Sequence, residues 1–357
     1  MTIQPLASRP ATGSPGFALP GVRLRGVVSV LPTRKLENAE FTRRFGEDAV
    51  RDVTKMIGVE TRYWVTPGQT TSDLCLVAGQ RLLEQLGWAP DSVDALIFVS
   101  QTPDQRLPAT ACVLHSKLGL APHCQAFDVG LGCSGYVYGY WLASTLIAAG
   151  CGRVLLMAGE TSSLLIDPDD RGTALLFGDA GTATAIEREE DAPTTTFVLG
   201  TDGGGAANLI VPSGGFRAPA EDSRREWPFD PRHLYMDGGE VFAFTLRAVP
   251  RLISETLAHA GRQVEEIDAF VLHQANRFML THLAKKIGAK PEQAPVNIDR
   301  FGNTSSATLP LVLTTDLAER VTTAPATLAL VGFGVGYSWG AAVLDTAPLA
   351  CAETLYL

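Results

Sequence analysis

The order of apolar segments predicts an α/β layered fold built from two copies of one unit. From Val22 onward, short apolar strands alternate with longer helical stretches, the pattern that stacks helices on sheets. A run of helix, turn and strand at 72–102 recurs at 240–276, the mark of a duplicated unit. Composition agrees, since 46% of the 357 residues are hydrophobic and only 19% are charged, enough apolar mass for a large core shared between halves.

Residues 1–21 carry Pro5, Pro10, Pro15 and Pro20 among Ser, Thr and Gly, so a flexible tail is expected there. The first half, 22–190, opens on a strand over 26–31. A helix over 72–86 then leads to a strand over 95–100, whose sequence Val93-Asp94-Ala95-Leu96-Ile97-Phe98-Val99 is echoed by Ile267-Asp268-Ala269-Phe270-Val271-Leu272-His273 in the second half, 197–350. Phe177-Gly178-Asp179-Ala180-Gly181 and Tyr337-Ser338-Trp339-Gly340 form a second such pair late in each half. A site is therefore expected between the halves. Residues 213–235 mix Pro, Gly and both charges without periodicity and read as a long loop.

The stretch from Val129 to Cys151 is uncharged and long enough to imitate a membrane span. Gly130, Gly132, Gly135 and Gly139 crowd its first part and a strand-like run over 154–157 follows. That pattern suits a buried helix, over 135–149, entered through a glycine turn. The formal net charge of −9 offers nucleic acid no global basic face. Six cysteines without a CxxC pair and without a secretory signal point to reduced thiols in a cytoplasm.

Gln125-Ala126-Phe127-Asp128-Val129 reads as a strand that turns at Gly130-Leu131-Gly132 into a helix beginning at Cys133. A cysteine at a helix N-terminus meets unsatisfied N–H groups and the positive end of the dipole, which favour the nucleophilic thiolate. Cys112 and Cys151, inside apolar sequence, read instead as buried structural cysteines. His273 ends an apolar strand, where side chains enter crevices of α/β sheets. Asn303 sits at a strand-to-helix turn, a position that also suits a helix cap. Three decoys are set aside. Asn303-Thr304-Ser305 is a sequon without a secretory signal. Asp167-Pro168-Asp169 starts like a calcium loop, but Gly178 stands at its twelfth position. Gly332-Phe333-Gly334-Val335-Gly336 lacks dinucleotide-fingerprint spacing. The remaining histidines lack metal-ligand spacing, so no metal is expected.

Together, Cys133-Ser134-Gly135, Asp167–Thr173, Phe177-Gly178-Asp179-Ala180-Gly181, His273-Gln274-Ala275-Asn276, Phe301-Gly302-Asn303-Thr304-Ser305 and Gly332-Phe333-Gly334 with Trp339-Gly340 resemble the β-ketoacyl-acyl-carrier-protein synthase III family of thiolase-fold condensing enzymes, in family order over about 22–346. The resemblance implies a thiolase-like five-layered αβαβα structure of two duplicated halves, a homodimer, and no permanently bound cofactor. It implies that Cys133 accepts an acyl group from acyl-CoA. His273 and Asn303 would hold malonyl-acyl carrier protein through decarboxylation, and the N–H groups of Cys133 and Val335 would form an oxyanion hole. It places Leu107, Phe177 and Phe333 at the acyl pocket, with Leu107 coming from the partner subunit. It also places Arg171 on CoA, and Arg277, Lys285 and Lys286 on the carrier protein.

The chain departs from the family pattern at four positions. Asp52 and Met56 stand where an aromatic and an arginine clamp adenine, Val335 where Gly is usual, and Leu107 where Phe is frequent, which hints at a primer larger than acetyl. Transfer of the acyl group to an oxygen or nitrogen acceptor would keep Cys133, and a silent subunit of a heteromeric synthase would need none of the three residues. The hydroxymethylglutaryl-CoA synthase type needs a glutamate where this chain has Gln101, and an amide is no base.

Overall fold

The structure, a computed structural model, describes residues 15–216 and 230–357. In chain order the strands are β1 (Gly16–Leu19), β2 (Val22–Leu31), β3 (Lys35–Glu37), β4 (Thr61–Tyr63), β5 (Ala95–Val99), β6 (Gln125–Val129), β7 (Arg153–Glu160), β8 (Ala180–Arg188), β9 (Thr195–Thr201), β10 (Leu209–Ile210), β11 (Tyr235–Met236), β12 (Ala269–Leu272), β13 (Ala326–Gly334), β14 (Ser338–Thr346) and β15 (Cys351–Tyr356). Two large sheets result, ordered β15-β2-β8-β7-β5-β6 and β1-β9-β14-β13-β12.

The duplication is legible in the pairing. In the first sheet, β2–β8 and β8–β7 are antiparallel and β7–β5 parallel. In the second, β9–β14 and β14–β13 are antiparallel and β13–β12 parallel. The helices that precede β5 and β12 match as well. Thr71–Leu86 begins with a capping box of Thr70 and Asp73 and stops at Gly87 in the left-handed region. Gly238–Ala260 begins with Asp237 accepting from the Glu240 N–H and stops at Gly261, φ 64°.

Five layers follow from what each helix touches. Thr71–Leu86 packs outside the first sheet and Gly238–Ala260 outside the second, while Gly135–Ala148 and Thr308–Thr314 contact both sheets between them. Helix Gly135–Ala148 is uncharged on every face and largely buried between the sheets, with only Thr145 and Ala148 near its end exposed. Its Tyr136, Val137 and Tyr140 are buried in one cluster with Val99 and Leu156 of the first sheet and Val271 and Leu330 of the second. Two further clusters sit under the outer helices. No helix among the described residues is long and apolar enough to cross a membrane.

Four expectations are corrected. Gly16–Leu19, placed in a tail, pairs with Thr195–Val198 as the edge of the second sheet, while residues 1–14 lie outside the described residues. Tyr235, taken as the end of a loop, pairs with Ile210; of that loop, 217–229 lie outside the described residues. Cys112, read as buried, is exposed. The helix after Cys133 starts two residues later than expected, at Gly135, so the thiol precedes the helix instead of opening it.

Candidate active site

Cys133 occupies the turn between β6 and helix Gly135–Ala148, closed by Gly135 N–H donating to Gly132 O at 2.7 Å. The turn is pressed against the end of β13. A Cβ on Gly334 would lie 2.8 Å from Cys133 Cβ and 3.0 Å from Sγ, and Gly334 has φ 153°, so only glycine leaves room for the sulfur. Ser134 Oγ meets Ser338 Oγ at 2.6 Å, and Ser338 Oγ donates to Val335 O at 2.7 Å, which ties the nucleophile turn to the loop after β13. Val335 lies between two glycines with positive φ and has no positive φ itself, so its β-branch is accommodated.

The thiol is buried, 7% exposed, and burial pushes its pKa up to about 11. The Ser305 hydroxyl is the largest opposing influence, followed by the N–H of Val335, with the N–H of Cys133 itself a smaller one. The expected preference for thiolate is therefore outweighed by desolvation in the empty site.

His273 extends β12 by one residue, its N–H donating to Val331 O at 2.8 Å. Its ring stands edge-on to Phe333 at 5.4 Å. Burial pushes its pKa down to about 3, so the imidazole is neutral throughout the working pH range. Nδ1 lies 2.8 Å from Thr308 Oγ1, a hydroxyl that also reaches Ser305 O at 2.9 Å. Rotating that one O–H selects the tautomer: donated to Nδ1, it leaves Nε2–H free to donate; donated to Ser305 O, it lets Nδ1 carry the proton.

Asn303 is fixed from both sides. Its N–H donates to Leu176 O at 2.9 Å and its carbonyl accepts from Gly178 N at 3.0 Å. Its side-chain Oδ1 accepts from the Ser305 N–H at 2.9 Å, which assigns the other end of the amide, Nδ2, as the free donor.

These three residues share a cavity of about 670 Å³. Phe177, Phe333 and Arg171 line it, together with Phe242, which no sequence signal marked. Its rim carries Met56 and Phe278, 61% and 58% exposed. The cavity is thus a channel from the surface to a buried sulfur. Arg277 begins the helix Arg277–Ile287 beside the rim and pairs with Asp299 at 3.7 Å. Lys285 and Lys286 lie at the far end of that helix and do not line the channel; Lys286 Nζ donates to Leu246 O at 3.3 Å. Leu107 is 79% exposed and lines no part of this chain's own channel. Among the described residues no group of His, Cys, Asp and Glu is arranged to hold a metal ion.

Glu160, at the end of β7, was not singled out from sequence. It is buried without a cation, accepting from Gln101 N–H at 2.9 Å, Thr102 Oγ1 at 2.8 Å and Ser100 Oγ at 3.3 Å. Burial pushes its pKa up to about 7. The unfolded chain ionises this group near pH 4.3 and the folded chain does not, so the penalty is absent below that pH and grows as pH rises, reaching roughly 3 kcal/mol above pH 7. Melting curves check this. The wild-type Tm should fall about 4 °C further than that of Glu160→Gln between pH 5 and pH 8, and parallel curves would refute the assignment.

Comparison with known proteins gives the same answer as the geometry. Residues 127–203 match the model described as 3-oxoacyl-(acyl-carrier-protein) synthase III, and residues 257–346 match its C-terminal counterpart. The β-ketoacyl-(acyl-carrier-protein) synthase III 2 of Streptomyces coelicolor is 35% identical, with 91% of this chain and 93% of the relative covered. The synthase III of Symbiobacterium thermophilum is 34% identical, covering 90% and 97%. A crystal structure of a 3-oxoacyl-(acyl-carrier-protein) synthase from Burkholderia xenovorans superposes with a TM-score of 0.94 at 51% identity, covering 97% of this chain and 99% of that one. By fold and by sequence, this chain belongs to the 3-oxoacyl-(acyl-carrier-protein) synthase III family of acyl-transferring condensing enzymes.

Proposed function

We propose that Cys133 takes an acyl group from acyl-CoA through the channel and that the acyl-enzyme then condenses, with loss of carbon dioxide, with malonyl-acyl carrier protein. The observation that carries this reading is one apolar channel ending on a cysteine, a neutral histidine and an asparagine whose free amide end is a donor. In acylation the Sγ–carbonyl bond forms, the bond to the CoA sulfur breaks, and the proton of Cys133 ends on CoA. In condensation the carbon–carboxylate bond breaks, and its electron pair becomes the enolate that attacks the acyl carbonyl. His273 Nε2–H and Asn303 Nδ2 hold the enolate oxygen, as neutral donors that stabilise charge without quenching the nucleophile. The N–H groups of Cys133 and Val335 hold the other oxyanion. No permanent cofactor is required.

Arg171, on the channel wall, is the cation for the CoA phosphates, and Arg277, Lys285 and Lys286 offer an acidic carrier a positive helix against a net charge of −9. The carrier and CoA place the reaction in the cytoplasm. The working form is a homodimer. β6 ends its sheet with Phe127 and Val129 half-buried, an unpaired edge of the kind that a second copy covers, and the exposed Leu107 then reaches the partner's acyl pocket.

Intact-protein mass spectrometry tests the reading. Incubation with a panel of acyl-CoA thioesters should add one acyl mass at Cys133, and malonyl-carrier protein should discharge it with carbon dioxide and a β-ketoacyl product. An acyl-enzyme discharged only by an alcohol or amine would replace condensation with acyl transfer.

A further inference from the structure

Two bonds to the catalytic residues, and a third to the Thr308 hydroxyl that meets His273, converge on Ser305, two positions after Asn303. Its Oγ lies 3.7 Å from Cys133 Sγ. Its N–H orients the Asn303 amide at 2.9 Å, and its carbonyl accepts at 2.9 Å from the Thr308 hydroxyl that meets His273 Nδ1. The residue is held at φ 52°, the only positive φ of a non-glycine among the described residues, a conformation that L-residues avoid unless their surroundings impose it. The residue is buried, 6% exposed, so bulk water does not substitute for its hydroxyl.

We propose that Ser305 is a fourth catalytic residue, whose hydroxyl donates to the Cys133 sulfur whenever that sulfur bears negative charge. The inference rests on the reading of Cys133 as the acyl acceptor. A thiol can donate to a hydroxyl, whereas a thiolate only accepts, and the Ser305 rotor serves both states. The need for such a donor follows from how the site divides its N–H groups. Once the N–H groups of Cys133 and Val335 turn to the acyl oxygen, the Ser305 hydroxyl is the donor left for sulfur. In condensation the Sγ–carbonyl bond breaks with its electron pair on sulfur, which then takes a proton from water. A hydrogen bond to a charged acceptor is about twice as strong as a neutral one, so the contact strengthens at that moment. The same residue also aims Asn303 and, through Thr308, His273.

The titratable groups around the thiol are Glu160 behind the 100–102 turn, His273 across the cavity, and Asp170 with Arg171 on the channel wall. Alkylation of Cys133 by iodoacetamide, followed against pH by peptide mass spectrometry, reads the thiol without any substrate. Ser305→Ala and Ser305→Gly both remove the hydroxyl, but glycine relieves the left-handed backbone and alanine does not. Both variants should shift the alkylation profile about one pH unit upward and slow alkylation at pH 7 about tenfold. Unchanged profiles in both would overturn the proposal. So would a shift in Ser305→Ala alone, which would assign the effect to the backbone. Because wild-type acylation by acyl-CoA is scored separately, failure of the Ser305 role is distinguishable from failure of the acyl-enzyme reading.

Discussion

Cys133→Ala should form no acyl-enzyme with any acyl-CoA, whereas Asn303→Ala should acylate near the wild-type rate and condense about 10²- to 10³-fold more slowly, the effect of removing one oxyanion donor. The two variants separate because the residues act in different half-reactions. On the proposed mechanism the sulfur is consumed and restored in every cycle, while Nδ2 of Asn303 meets only the second substrate. The Asn303 backbone is anchored to Leu176 and Gly178 independently of its side chain, so truncation should leave the turn in place. Mass spectrometry of the acyl-enzyme and product analysis after malonyl-carrier protein check both halves. An Asn303→Ala enzyme that condenses at full rate would refute the assigned role.

Gly178→Ala should reach the same half-reaction from the scaffold side. A Cβ at Gly178 would lie 2.1 Å from Phe301 O and 3.3 Å from Phe301 C, backbone atoms that have no rotamer by which to escape. Opposite it, a Cβ at Gly302 would lie 2.6 Å from Leu176 O, so the crossing at the Phe177–Asn303 bridge is closed to side chains from both directions. Overpacking of this kind should cost about 3 kcal/mol, read as a Tm about 4 °C lower. Displacing Asn303 by about 1 Å should lower condensation about 10²-fold. Acylation should suffer less, since a Cβ at Gly178 meets Phe301 and Thr304 and not the Cys133 turn. A variant with wild-type Tm and turnover would show that the crossing is not what positions Asn303.

How much was legible beforehand depended on whether the signal was local. The glycine turn before an uncharged helix singled out Cys133, and the matching pairs around Ala95–Val99 and Ala269–Leu272 disclosed the duplication, because both lie within windows of a few dozen residues. Ser305 and Thr308 were not singled out because Thr304-Ser305-Ser306-Ala307-Thr308 is a run of small, mostly polar residues, and nothing in its order tells that the polar side chains are buried beside a sulfur. Glu160 was missed for the same reason. The N-terminal edge strand escaped because Gly16–Leu19 is flanked by prolines and its partner, Thr195–Val198, is nearly two hundred residues away. Arg277 and the Lys285-Lys286 pair looked like one patch in sequence, yet eight residues of helix separate them by about 12 Å.

The outermost strands bear on how the molecule comes apart. β1 belongs to the sheet of the second half and β15, parallel to β2, to the sheet of the first. Each sheet thus closes on a strand from the far end of the chain, β1 from before the first half and β15 from after the second, as two clasped hands hold each other's outer fingers. Neither half can lose its sheet without stripping an edge from its neighbour, so the repeats do not melt as separate cooperative units. Heat or denaturant should therefore meet one barrier, and the nucleophile should vanish in the same transition as the donors that serve it.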